Sequence, residues 1–193
     1  MKKAKKVMAL VLCAALLMAG SVMGTLAYLT AQDSVTNTFT VGNVAITLQE
    51  YVIDPQTGSA DKSVTPVKAQ ENIELAPGRV IGKNPFITVG ATSEDCWLVV
   101  KIENGLGDII TIDGMDSWNE VTGKPGYFMY NTAVSKCAKV DVFTSITCNT
   151  DNTNAALEAV QNKQIIVTAY AIQAENVTKD NVIAYLGTHY TLN

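Results

Sequence analysis

The sequence predicts an all-β protein, built as an antiparallel β-sandwich with one short helix and long loops. About eight segments alternate apolar and polar residues with period two, which is typical of strands that bury one face. Turn-forming residues recur roughly every eight to twelve positions, and no segment alternates strands with helices as a doubly wound fold does. Pattern alone leaves the jelly roll and the immunoglobulin-like sandwich as open alternatives.

The clearest strands are predicted at 44–48, 84–89 and 96–103. In the third, the alternation predicts that one set of side chains faces the core. That set is Cys96, Leu98, Val100 and Ile102.

The remaining elements follow from local composition. Further strands are predicted at 109–112, 127–131, 140–147 and 164–174, with edge strands in the tail at 183–186 and 189–192. The run 164–174 is apolar on nearly every position, which favours a central place in its sheet. Good helix formers behind capping residues predict one helix within 151–163. Trp118 is expected to pack beneath the turn-rich region 105–126.

The N-terminus has the pattern of an export signal. Four lysines within the first six residues precede an apolar run at 7–17 and then small residues. A permanent membrane helix needs about 20 predominantly apolar residues, whereas Gly20, Ser21 and Gly24 break the extension of this run toward Ala27. We therefore expect residues 1–27 to be removed by cleavage between Ala27 and Tyr28, leaving a secreted protein without a permanent membrane anchor. The alternative is an uncleaved signal anchor.

The charge balance of the mature chain disfavours nucleic-acid binding. The whole sequence has 14 basic and 18 acidic residues; removal of the four signal lysines leaves 10 basic residues and a net charge of −8. Binding to nucleic acid through phosphate neutralisation requires clustered lysine and arginine. We expect no nucleic-acid partner.

The sequence predicts neither an enzyme nor a cofactor or metal site. His189 is the only histidine, so a catalytic triad or a Cys-His pair could be built only through it. No H-E-x-x-H motif or glycine-rich phosphate loop is present. Asp113, Asp116 and Glu120 lack the EF-hand spacing and are interpreted as solvated turn carboxylates.

Three cysteines remain after signal removal, and an odd number cannot pair completely within one chain. Cys137 and Cys148 flank the predicted strand at 140–147 and could pair, while Cys96 is expected to be a buried apolar residue. The absence of C-x-x-C spacing argues against a zinc knuckle or a thioredoxin-type motif.

The segment 28–41 is a β-prone strand without an evident partner in the rest of the sequence. Val35, Phe39 and Val41 occupy alternating positions among threonines and asparagines. Insertion of such a strand into a neighbour's sheet would provide main-chain hydrogen bonds and side-chain pockets. The alternative is that the strand folds back into its own sheet and gives a monomer.

Several motifs resemble those of the TasA/camelysin family of secreted biofilm-matrix proteins. The matching stretches are G-T-L-A-Y at 24–28, N-T-F-T-V-G-N at 37–43, V-A-I-T-L-Q-E at 44–50, A-P-G-R at 76–79 with L-V-V-K-I-E at 98–103, and A-Y-A-I-Q-A-E at 169–175. The resemblance implies a jelly-roll fold, processing by a SipW-type signal peptidase, and fibres in which each subunit donates its N-terminal strand to the next.

Carried onto this sequence, the resemblance implies a donor segment at 28–40 and a jelly-roll domain at 41–193. The donor residues would be Tyr28, Leu29, Val35, Asn37 and Phe39, with Val35 and Phe39 as the side-chain anchors. Leu29 and Thr30 depart from the usual aromatic-plus-acidic pair of the family, which affects the exact cleavage position and donor register.

The function predicted from the sequence is therefore a structural subunit of extracellular fibres. One alternative is a secreted module that binds glycans or surface proteins, which would require the aromatic side chains to converge on one concave face. Those side chains are Trp97, Trp118, Tyr127 and Tyr130. Another alternative is an exported camelysin-like protease that depends on His189.

Overall fold

The structure is a computed structural model that describes residues 43–70, 73–190 and 192. It contains twelve strands, two α-helices and two short 3-10 turns within those ranges. The strands are β1 (Ile46–Glu50), β2 (Val52–Ile53), β3 (Ala60–Asp61), β4 (Val80–Ile81), β5 (Pro85–Val89), β6 (Cys96–Asn104), β7 (Ile110–Asp113), β8 (Trp118–Glu120), β9 (Tyr127–Tyr130), β10 (Lys139–Asp141), β11 (Ser145–Cys148) and β12 (Ile165–Gln173). The helices are α1 (Asn154–Ala159) and α2 (Val182–His189).

All strand pairs in the described residues are antiparallel. The orders are β1-β5-β10, β4-β11-β7 and β12-β6-β9-β8, with a separate β2-β3 pair. One apolar core draws side chains from all three larger sheets, so the four-stranded sheet packs against the two three-stranded sheets. The predicted all-β antiparallel sandwich is confirmed, while the finer jelly-roll topology stays a prediction.

The alternation in β6 produces the predicted core face. Cys96, Leu98 and Val100 are fully buried and Ile102 is nearly so. Val99 on the opposite face is also fully buried, because a second apolar cluster covers that side of the sheet. β6 is thus apolar on both sides at its centre.

The predicted helix lies at α1, where the Thr153 hydroxyl accepts a hydrogen bond from the Ala156 backbone N–H and caps the first turn.

The strand predicted at 140–147 is broken into β10 and β11. The tail strand predicted at 183–186 is wrong, since α2 occupies those positions; the strand predicted at 189–192 begins at the last residue of α2 and runs partly outside the described residues. The sequence V-I-A-Y-L is a short apolar run, and such runs do not distinguish strand from helix by periodicity.

The position predicted for 164–174 is also wrong. The segment forms β12, but β12 lies at the edge of its sheet and pairs with β6 alone among the described strands. One face packs against the main core, and the C-terminal part of the other packs against the cluster that includes α2, whereas Ile166 is 49 % exposed. β12 therefore has apolar residues on both faces even though it is an edge strand among the described strands.

Candidate functional site: the open side of the sandwich

The outer edge of β12 presents a row of backbone groups without a partner in the described part of the chain. At the two ends of the β12–β6 ladder, the Gln164 C=O accepts from the Gly105 N–H at 2.9 Å and the Ala174 N–H donates to the Asp95 C=O at 2.8 Å. Even-numbered β12 residues are therefore the ones bonded to β6, because antiparallel ladders alternate. The odd-numbered residues 165–173 direct their N–H and C=O groups outward.

The composition of β12 does nothing to block pairing at this edge. The nine residues I-I-V-T-A-Y-A-I-Q contain no charge and no proline, and β12 shares with β6 the greatest length among the described strands. Proteins usually protect sheet edges with short strands, lysine, proline or bulges. β12 has none of the first three.

The facing sheet also ends in an edge strand on this side. β1 is the outer strand of its sheet, and β1 and β12 approach each other. Among the described residues, only the C-terminal end of β1 is covered, where the Glu50 and Val67 backbones exchange hydrogen bonds of 2.8 and 2.9 Å. The two sheets thus present neighbouring edges along one side of the sandwich.

Core-facing side chains along this side are only half buried, although they pack against the main core. They are Val44, Ile46 and Leu48 in or beside β1, and Ile165, Val167, Ala169 and Ala171 on β12. Their neighbours on the central strands are fully buried: Ile87 pairs with Leu48, and Leu98 pairs with Ala171. The described residues therefore leave the core incompletely covered along the β1–β12 side.

The opposite side is closed by Trp118. This side chain is 6 % exposed, packs edge-on against Tyr130 at 5.1 Å between ring centroids, and donates from Nε1 to the Asp141 C=O at 2.9 Å. Trp118 lies on β8 and Asp141 on β10, so the hydrogen bond joins the two sheets. Trp118 is thus buried, and its named contacts are with Tyr130 and Asp141; its packing beneath the region 105–126 stays a prediction. In the described residues, the sandwich is open on one side and closed on the other.

The site residues predicted from the sequence lie N-terminal to β1, one of the two edge strands on this open side. Ala27, Tyr28, Leu29, Val35, Asn37 and Phe39 all lie outside the described residues. The description begins at Asn43, three residues before β1, and the Asn43 C=O accepts from the Glu94 N–H at 3.0 Å. The segment that carries the predicted donor residues therefore connects directly to one of the two open edge strands.

The aromatic side chains proposed for a binding module do not converge. Trp118 and Tyr130 pack into the main core, whereas Trp97 and Tyr127 belong to the cluster on the other face of the same sheet. The Trp97 Nε1 donates to the Val177 C=O at 2.8 Å, which holds that ring beneath the segment leading to α2. The condition for a concave aromatic surface is not met by these four residues.

A buried ion pair at the end of β1 was not foreseen from the sequence. The Lys83 ammonium donates to Glu50 Oε2, and the two residues are 9 % and 5 % exposed. Glu50 continues the core-facing row of Ile46 and Leu48, which was a usable signal for its burial. Its cation is 33 positions away, beyond any local pattern.

No group of three or more His, Cys, Asp or Glu residues that could hold a metal ion occurs in residues 43–70, 73–190 and 192. The Asp113 carboxylate accepts from the Thr147 hydroxyl at 2.7 Å, a link between adjacent strands. The side chain of His189 lies outside what the structure describes.

The three cysteines in the described ranges are free thiols, so the possible Cys137–Cys148 disulfide is absent. Cys96 and Cys148 are buried and Cys137 is exposed, which confirms the prediction for Cys96. Burial raises the pKa of the Cys96 thiol to about 11, and the nearby Asp95 carboxylate adds to the rise. Burial excludes water and disfavours the thiolate form.

These positions predict a simple pattern of thiol reactivity. At pH 8 in the folded protein Tyr28–Asn193, we expect Cys137 to react rapidly with a maleimide, because it is exposed. Cys96 should react only after denaturation, since a pKa of about 11 leaves roughly one thiolate in a thousand at pH 8. Mass spectrometry after brief labelling checks this. The Cys137→Ser variant should lose the fast reaction and Cys96→Ser should keep it; the reverse result would refute the assignment.

Comparison with known proteins finds no matching family model, no matching curated protein and no matching solved structure. The resemblance to the TasA/camelysin family accordingly stays a prediction from the sequence motifs. Among the described helices, none is both long and apolar enough to cross a membrane.

Proposed function

We propose that this protein is a secreted, non-enzymatic structural subunit of extracellular or cell-surface fibres. Each subunit accepts the N-terminal strand of a neighbour along the outer edge of β12. The observation that supports this most directly is the combination of a nine-residue unprotected strand edge with a half-buried core row on the same side. Export and cleavage by a SipW-type signal peptidase rest on the N-terminal pattern and on the family resemblance.

The chemistry of β12 suits the acceptance of a strand. Five odd-numbered residues supply outward N–H and C=O groups, and a row of apolar side chains below them lacks full cover. An added strand would form main-chain hydrogen bonds with the outward backbone groups, and its own apolar side chains would cover the apolar row. Both contributions come from one segment with alternating residues, which is the pattern at 35–41.

The geometry of such an exchange leads to a polymer. The donor segment and the acceptor edge are different surfaces of the chain, so the contact is heterologous and does not close on itself unless a ring forms. A linear assembly retains one unused donor at one end and one unused acceptor at the other. Repetition of this contact gives a filament, and a net charge of −8 on the mature chain keeps free subunits soluble.

Electron microscopy of two purified forms tests this proposal. Tyr28–Asn193 should form filaments, and Thr40–Asn193 should remain monomeric because it lacks the donor residues. The truncated form still carries β12, so it should accept a donor without passing one on. Adding it at one part in ten is therefore expected to shorten the filaments.

Three results would count against strand donation. Filaments formed by Thr40–Asn193 would show that the donor segment is dispensable. Unchanged filament length in the mixture would show that the truncated form does not occupy a growing end. Monomers of Tyr28–Asn193 at high concentration would favour closure of the strand on its own domain.

A further inference from the structure

The row of β12 side chains that faces the core changes in size along the strand. Ile165 and Val167 are followed by Ala169 and Ala171, all four packed against the main core. The two alanines stand opposite Val100 and Leu98 of β6, which are fully buried, yet the alanines themselves are only partly buried. The described side chains therefore leave these two methyl groups incompletely covered at the open edge.

The facing sheet also presents partly buried apolar side chains here. The neighbouring edge strand β1 contributes Ile46 and Leu48 to the same core, and both are half buried. Packing in protein interiors is close to that of organic crystals, so apolar side chains left partly uncovered on two neighbouring strands favour contact with a bulky apolar group over water. Because Ala169 and Ala171 are smaller than Ile165 and Val167, a larger side chain of an added strand fits beside them than beside the rest of this row.

We propose that Ala169 and Ala171 form a size-selective subsite for the Phe39 side chain of a neighbouring copy. This inference rests on the proposed function and adds the residues that would set its specificity. In a strand added beside β12, alternate side chains point into the core. In the segment 28–42 the odd-numbered row is Leu29, Ala31, Asp33, Val35, Asn37, Phe39 and Val41. Phe39 is the only aromatic residue of that row.

The length of the N-terminal segment permits this placement. A nine-residue edge requires a partner of about nine residues at roughly 3.3 Å each, and twelve residues run from Tyr28 to Phe39. Phe39 lies seven positions before the start of β1, so the same side chain could also approach the subsite of its own domain. The test must therefore separate the identity of the subsite from the identity of the donor.

Binding of a fluorescent peptide, residues 28–40, to Val41–Asn193 provides that test, because Val41–Asn193 forms a compact unit in the structure. Fluorescence anisotropy should show saturable binding. Phe39→Ala in the peptide should weaken binding by about a hundredfold, the effect expected for loss of a buried aromatic side chain. Ala171→Leu in the domain should weaken binding of the unmodified peptide at least tenfold, since the added side chain would occupy the position proposed for Phe39. Thr38→Ala in the peptide and Thr168→Leu in the domain are the matched controls on the other face.

A size exchange gives the strongest result. The Phe39→Ala peptide should bind the Ala171→Leu domain more tightly than the two separate losses predict when added together. Thermal melting of Ala171→Leu should first show that the domain is folded, and Ala169→Leu serves as a second variant if it is not.

The outcomes distinguish the two proposals. Binding that is insensitive to Phe39→Ala, or equal losses in the matched controls, would overturn the subsite while strand donation could still stand. Absence of any peptide binding would overturn both. The expected size exchange in a protein whose Tyr28–Asn193 form makes no filaments would support the subsite and overturn the fibre proposal.

Discussion

Replacing Lys83 with methionine is expected to lower the free energy of unfolding by about 3–5 kcal/mol. The variant would leave the Glu50 carboxylate buried, at 5 % exposure, without its cation. Glu50 Oε1 already has no hydrogen-bond partner among the described residues, so the carboxylate has little other compensation. Urea denaturation of the wild type and the variant, followed by intrinsic fluorescence, measures the difference.

The double variant Glu50→Leu with Lys83→Met is the matched control. Because both charges are removed together, no buried ion remains uncompensated, and the cost should largely disappear or reverse. A loss below about 1 kcal/mol in the single variant would contradict the account of the pair. A double variant as unstable as the single one would show that packing, rather than the isolated charge, causes the effect.

Trp118→Ala should cost about 3–5 kcal/mol, the range for loss of a large buried aromatic side chain. The substitution removes the ring that packs against Tyr130 and also the Nε1–H that bonds to the Asp141 C=O. Trp118→Phe should cost less, since it keeps most of the apolar contact. Calorimetric melting of both variants gives the two values.

The contrast between the two sides of the sandwich makes this substitution informative. Loss of Trp118 should expose core residues on its own side of the sandwich, in the way that the core residues on the β1–β12 side are already partly exposed. Equal stability of Trp118→Ala and the wild type would show that β8 does not close the sandwich. A cost confined to the hydrogen bond would appear as equal losses for Trp118→Phe and Trp118→Ala.

The sequence was most informative where side-chain periodicity directly reflects burial. The strands predicted at 84–89 and 96–103 lie at β5 and β6, and each differs from the prediction by one residue at one end. Their core-facing rows were predictable because a one-residue slip in register would turn the apolar side chains away from the core. The helix at 154–159 was predictable from its cap and its helix-forming residues. These features depend on contacts within a few positions of the chain.

Other features depend on contacts that local pattern does not contain. The apolar residues of β12 indicate packing on both faces, at least in its C-terminal part, but they give no information about the edge of the sheet. The candidate site lies at that edge. The Glu50–Lys83 pair joins positions 33 residues apart. The run that forms α2 is too short for its period to be read. The donor residues predicted at 28–40 lie outside the described residues, so their role stays a prediction.

Hydrogen exchange at single-residue resolution along β12 tests the central claim most directly. In Thr40–Asn193, the amides of Val167, Ala169 and Ala171 should exchange quickly, while those of Thr168 and Tyr170 are protected by their bonds to β6. In filaments of Tyr28–Asn193, the odd-numbered amides should become protected as well, and the even-numbered amides should stay so. Odd-numbered amides that are already protected in Thr40–Asn193, or that still exchange quickly in the filaments, would contradict the assignment of β12 as the acceptor edge.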